Sequence, residues 1–149
     1  AKAPAPLGQA LYYKRGKFVC MLSKATIAKG DCVAFKVSTD PALCQITVTV
    51  NTSAATAGLA IGFACAASVT GEYCFVQVGG VENDASPVIV NDGGDFAAGD
   101  MIIPDLSGTD GQVAVGTAGT HDHLRLGNAT TAISGTSMSD WILVDRFAF

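Results

Sequence analysis

Hydrophobic and polar positions alternate along much of this chain with a period of two, the period of a strand that buries one face. The clearest run is Ile46-Thr47-Val48-Thr49-Val50, with Ile46, Val48 and Val50 on one side and the threonines on the other. Tyr73, Phe75 and Gln77 likewise oppose Cys74, Val76 and Val78, and Val33, Phe35 and Val37 share a face after the Gly30-Asp31 turn. Leu11 to Leu22 reads as two short strands around the charged turn Lys14-Arg15-Gly16-Lys17. Pro87 to Val90 is a short strand stopped by Asn91-Asp92-Gly93-Gly94, Val113 to Val115 follows a turn at Asp110-Gly111, and Trp141 to Phe149 closes the chain on a strand. No window of a dozen residues has a helical period; 64–69 and 129–134 have room for a turn or two. The pattern predicts an all-β fold, a small sandwich or barrel of short strands.

The segments also repeat. Leu59-Ala60-Ile61-Gly62-Phe63-Ala64-Cys65-Ala66-Ala67 follows the pattern Leu-x-(Ile/Leu)-Gly-x-Ala-x-x-Ala, which returns 65 residues on, from Leu124 to Ala132. Gly-Asp turns before strands stand at Gly30-Asp31 and Gly99-Asp100. Each half therefore carries the same two signals in the same order, 32 residues apart in the first (30 to 62) and 28 in the second (99 to 127). This indicates an internal duplication, with repeat units 27–81 and 96–149 inside a single β domain spanning 11–149. Residues 1–10 differ in kind. Three alanines with Pro4, Pro6 and Gly8 before Ala10 favour an extended arm that forms neither a helix nor a paired strand.

At 149 residues the chain is long enough for one sizeable core. Its charged content of 15% is well below the roughly 25% usual for a soluble domain, which points to surface hidden against partners. No run approaches the roughly 18 apolar residues of a membrane span, and Ala1 to Pro6 lacks the apolar core of a signal peptide, so neither membrane insertion nor secretion is expected. Nine basic against thirteen acidic residues, with no basic cluster longer than Lys14 to Lys17, argue against a nucleic-acid partner.

The five cysteines, Cys20, Cys32, Cys44, Cys65 and Cys74, form no Cys-x-x-Cys pair and read as buried free thiols of a protein made in a reducing cytoplasm. The glycosylation patterns at Asn51 and Asn128 are therefore idle. Gly135-Thr136-Ser137-Met138 matches the surroundings of a subtilisin-type serine, with Asp92 and His121 in the same order, but the neighbours those enzymes require are missing and a loop is the expected structure. His121-Asp122-His123 would put two imidazoles on one strand face, yet no third metal ligand is identifiable. The acidic pairs Glu82/Asp84, Asp92/Asp95 and Asp105/Asp110 sit in turns, where aspartate caps backbone. Trp141, Tyr12, Tyr13, Tyr73 and Phe75 read as core or interface aromatics. No catalytic, cofactor-binding or metal constellation emerges, and the expectation is a non-enzyme without cofactors.

The proline/alanine-rich arm, the Gly-Asp turns, Leu59-Ala60-Ile61-Gly62-Phe63-Ala64 and Tyr73-Cys74-Phe75-Val76-Gln77-Val78-Gly79-Gly80-Val81 together resemble the small β-rich capsid decoration, or cement, proteins of tailed bacteriophages. The resemblance implies a homotrimer on the outer capsid surface of the virion whose terminal arm reaches over neighbouring major capsid proteins. By position and composition that arm corresponds to Ala1, Lys2, Ala3, Pro4, Ala5, Pro6, Leu7, Gly8 and Gln9. Three other readings fit the chain: a receptor- or carbohydrate-binding β module of head-fibre type, for which Tyr12 and Tyr13 are the available platform; a minor head or neck component; and an intracellular hydrolase, which would need His121 and His123.

Overall fold

A computed structural model describes residues 2–36, 45–48, 57–82, 86–107, 109–138, 140–147 and 149. The described residues form twelve strands: β1 (Ala10–Tyr13), β2 (Gly16–Ser23), β3 (Cys32–Phe35), β4 (Gln45–Val48), β5 (Ala60–Ala64), β6 (Tyr73–Val81), β7 (Ile89–Val90), β8 (Met101–Pro104), β9 (Val113–Gly116), β10 (Gly127–Ala129), β11 (Ser137–Met138) and β12 (Trp141–Leu143). The fold is all-β, as the alternating pattern predicts.

Strands β2, β4, β3, β5 and β6 close on themselves, because β6 pairs with both β5 and β2. This is a five-stranded barrel. Closure leaves no open edge among the five strands, and the inward positions of each fill the interior. Val19, Met21, Ile27, Val33, Ile46, Ile61, Ala64, Cys74, Val76 and Val78 make that core. Where β5 meets β6, Gly62 has no room for a side chain: a Cβ there would stand 2.9 Å from the carbonyl carbon of Gln77 and 3.2 Å from the Val78 Cα, with the Gln77 oxygen closer still.

The end of β6 continues the ladder into β12, then β10, β8 and β9. β9 touches the end of β7 through a parallel bridge between Asn91 and Val113, and β7 pairs with β11, which precedes β12. These strands form a second ring in the same order as the first. Their turns agree closely. Asp31 Oδ2 accepts the Ala28 N–H at 2.8 Å, and Asp100 Oδ2 accepts the Ala97 N–H at 2.8 Å. Gly30 N–H donates to the Ala64 carbonyl and Gly99 N–H to the Ala129 carbonyl, both at 2.8 Å. Both glycines have positive φ, 89° and 91°, which fixes glycine at each turn. Isolated bridges join Ile27 to Ser68 and Phe96 to Ile133, and Gly127 stands as close to the Ile142 carbonyl as Gly62 does to Gln77.

The second core follows the same scheme. Ile89, Phe96, Ile102, Val113, Leu126, Ala129, Met138, Trp141 and Leu143 occupy the positions of Met21, Ile27, Val33, Ile46, Ile61, Ala64, Cys74, Val76 and Val78. Cys32, Ala60 and Phe63, on the outside of the first barrel, pack against this second core, Phe63 lying 6.4 Å from Trp141 between ring centroids. Backbone bonding joins the halves too, with the Cys32 N–H donating to the Gly111 carbonyl at 2.7 Å.

Three expectations change. Ser137 and Met138 are a strand rather than a loop, because Met138 belongs to the second core and its register with Ile89 holds the segment in a ladder. The last strand stops at Leu143. Beyond it Asp145 pairs with Lys17 and accepts the Phe149 N–H, so the chain turns away from the ladder and stacks Phe147 and Phe149 on Phe35. His121-Asp122-His123 is not on a strand; Asp122–Leu124 is a 3-10 turn anchored by buried Leu124. Val37, Cys44, Thr49, Val50, Asn51 and Asp84 lie outside the described residues.

Candidate functional site

The N-terminal arm runs along the outer side of β2. Lys2, Pro4, Pro6 and Gln9 are exposed, Ala3, Ala5, Leu7 and Gly8 are half-buried, and Ala1 lies outside the described residues. Contrary to the expectation of an arm without strand pairing, Leu7 forms a parallel bridge to Cys20, and the Gly8 N–H donates to the Cys20 carbonyl at 3.0 Å. Proline removes donors at two positions, so the arm latches at Gly8, whose positive φ of 75° lets the chain turn into β1. Cys20 is an outward position of β2, yet it is fully buried. The Ala5 backbone contacts its thiol, and burial pushes the thiol above its ordinary range.

The β1–β2 hairpin follows. Tyr13 pairs with Gly16, leaving Lys14 and Arg15 as a two-residue turn, and Lys14 takes a left-handed conformation at φ 51°. Among the described strands β1 pairs on one side only, and it carries Tyr12 at 75% and Tyr13 at 50% exposure. Lys14 stands over the Tyr13 ring and Lys17 over Tyr12, at 5.5 and 5.8 Å from the centroids. Lys17 also binds Asp145 and the Phe149 carbonyl, and the bond to Asp145 raises its pKa. Between hairpin and barrel runs an apolar groove of about 260 Å³ lined by Leu11, Tyr13, Phe18, Cys65 and Phe75. Arm, exposed hairpin and groove are contiguous.

The remaining candidates from the sequence are held in structural roles. His121 Nδ1 accepts the Thr117 N–H at 3.0 Å, and among the described residues no group of three His, Cys, Asp or Glu side chains is arranged to hold a metal. His121 and Ser137 belong to separate elements, a turn and a strand. Asp92 and Asp105 accept N–H groups of Gly94 and Ser107, as turn aspartates do. Cys32 and Cys74 are buried and Cys65 is half-buried; Cys20, Cys65 and Cys74 are free thiols. The Cys65 sulfur points back to the Phe63 carbonyl, and burial pushes its thiol up to about 12. Trp141 is in the core, whereas Tyr73 and Phe75 are half-buried. None of the described helices is long and apolar enough to cross a membrane.

No protein-family model matches the chain, and no curated protein matches it in sequence. The reading of the site therefore rests on its own geometry.

Two features escaped the sequence reading. Arg146 donates to the carbonyls of Ala60 at 2.8 Å, Gly58 at 3.2 Å and His123, and so ties the last turn to both halves; burial lowers its pKa. The second is an open cleft of about 750 Å³ on the second ring, at Gly99, Asp100, Met101, Gly116, Ala118, Asp122, Arg125 and Asn128. Its signal was in the repeat. The positions that read Ala60 and Phe63 in the first copy read Arg125 and Asn128 in the second, so an apolar face in one is polar in the other.

Proposed function

We propose that this chain is a non-catalytic structural virion protein that binds the outer surface of a tailed-phage capsid as a homotrimer and stabilises the shell by clamping neighbouring major capsid proteins. It would be made in the host cytoplasm. The observation that carries the reading is the shallowly held arm, which leads directly into an exposed aromatic hairpin and an apolar groove. A backbone hydrogen bond contributes about 0.5–1.5 kcal/mol net, so releasing the arm from Cys20 costs little and a shell subunit can outbid that contact. The arm orders on the shell as coupled folding segments do, and once the hairpin is seated the arm binds at high effective concentration. Binding to the assembled shell and not to its separated subunits stabilises the shell by mass action. The resemblance of the arm, the Gly-Asp turns and the Tyr73 to Val81 strand to decoration proteins supports the same reading.

The test is occupancy on particles. Protein lacking residues 1–9 should keep its fold and bind undecorated capsids more weakly than the full chain. Unchanged occupancy would remove the arm from the mechanism.

A second reading, a receptor- or carbohydrate-binding module, draws support from Tyr12 and Tyr13, three-quarters and half exposed and each beside a cation. Glycan-array binding lost on Tyr12→Ala would favour it. A minor head or neck component shares the proposed contacts and is separated by copy number in purified particles: hundreds for decoration against a dozen or so for a connector.

A further inference from the structure

The intrachain contact between the two halves shows what a barrel of this type packs against. The first barrel presents the Gly30-Asp31 turn with Cys32, Ala60 and Phe63, and the second receives it beside β7. The Gly30 backbone lies against the Val88 carbonyl, Cys32 bonds Gly111, and the Asp31 carboxylate approaches within 2.8 Å of where a Gly111 Cβ would stand. The repeat gives each of these surfaces a counterpart. By strand register Leu22 with Tyr73 corresponds to Val90 with Ser137, and Met21 with Cys74 to Ile89 with Met138, so Cys20 is the counterpart of Val88. The counterpart of the donor turn is Gly99-Asp100, with Met101, Arg125 and Asn128 in place of Cys32, Ala60 and Phe63.

One counterpart face is open and the other is occupied. The turn of the second ring borders the 750 Å³ cleft, where Arg125 is exposed and donates to the Asn128 side-chain oxygen. On β2 the Cys20 carbonyl, which corresponds to the Val88 carbonyl under Gly30, is bound by Gly8 of the chain's own arm. The arm fills on the first barrel the place that the Gly30 turn fills on the second.

We propose that the outer face of the second ring, at Gly99, Asp100, Met101, Arg125 and Asn128, docks on the outer side of β2 of a second copy, and that the arm blocks this contact until it lifts from Cys20. The contact is heterologous, so it builds a ring where the rotation closes and a filament where it does not. Its polar side chains make it weaker than the apolar intrachain version, which keeps latched chains apart. It supplies the trimer contact of the preceding section but belongs to the chain alone, and it is tested without shells.

Gly8→Pro removes the N–H that binds Cys20 and forbids the positive φ, and Leu7→Asp weakens the same latch from a half-buried position; the pair covers the case in which one substitution disturbs the fold, which buried Trp141 fluorescence reports. Both full-length variants should expose Cys20 to a thiol reagent when Ala118→Arg is added to hold the chains apart, and without it should show, by light scattering across a concentration series, at least a twofold rise in mass over the wild-type chain. Adding Ala118→Arg, an exposed position in the cleft, should return the mass to the wild-type value. A mass that stays at the wild-type value with Cys20 reactive, a rise that Ala118→Arg leaves intact, or a Cys20 that stays protected in both latch variants when Ala118→Arg is present would each overturn the proposal.

Discussion

Substituting Gly62 by alanine tests the close backbone approach between β5 and β6 of the first barrel. The new Cβ would meet the Gln77 carbonyl carbon at 2.9 Å and the Val78 Cα at 3.2 Å, against about 3.5–4.0 Å for relaxed carbon contact. Both neighbours are backbone and cannot swing aside as a side chain would. Either β5 and β6 separate locally or the Gln77 carbonyl leaves the ladder. Overpacking of this kind costs about 1–3 kcal/mol and a lost ladder bond about 1 more, offset by about 0.4–1 kcal/mol from the stiffer unfolded chain. The net loss is about 2–3 kcal/mol, a fall of roughly 5–12 °C in Tm for a chain of this length. Gly127→Ala should lose a similar amount, since its Cβ would stand 2.9 Å from both the Ile142 carbonyl carbon and the Leu143 Cα. Gly58→Ala is the control, with nothing within 4 Å of its Cβ, and should be neutral or slightly stabilising. Urea unfolding followed by the fluorescence of Trp141 measures all three. Stabilities of Gly62→Ala and Gly127→Ala within about 0.5 kcal/mol of Gly58→Ala would refute the reasoning.

Three further outcomes follow from the geometry. Lys14→Gly relieves a left-handed residue in a two-residue hairpin and should raise stability by about 0.5–1 kcal/mol in the same assay, whereas a loss would mean that the Lys14–Tyr13 contact dominates. Arg146→Gln removes donors to three carbonyls at the junction of the halves and should cost about 2–3 kcal/mol; a change below 0.5 kcal/mol would show that water replaces it at no cost. The thiols of Cys20, Cys65 and Cys74 are raised above 9.0 by burial, so the unfolded chain ionises first: their stabilisation is complete below about pH 9 and is lost as pH rises toward 12. Urea midpoints should therefore fall steadily from pH 8.5 to 11, and a flat profile would contradict the assignment.

Much of the fold was legible because it follows from local pattern. Ile46 and Val76 point inward as the period of two requires, and the glycines at 30 and 99 stand where only a residue free of Cβ strain fits the turn. The repeat was visible as spacing. What the pattern missed depends on pairing across the chain. Trp141 to Phe149 is apolar enough for a long strand, but Asp145 and Arg146 find partners at Lys17, Gly58 and Ala60, more than 80 residues away, and these pull the chain off the ladder. Gln77 looks like a solvent position, yet it is fully buried and donates to the carbonyls of Gly79 and Val81. The return of the arm onto β2 was likewise hidden, since two prolines in nine residues carry no sign of the Cys20 carbonyl that Gly8 binds.

The central claim is attachment to a capsid, and co-sedimentation tests it most directly. The purified chain, its solution mass first fixed by light scattering, is mixed with expanded, undecorated tailed-phage capsids, and the particles are pelleted. The account predicts near-stoichiometric recovery of the chain with the shells, saturating at hundreds of copies per particle. A chain that stays in the supernatant at concentrations sufficient for saturation would contradict it.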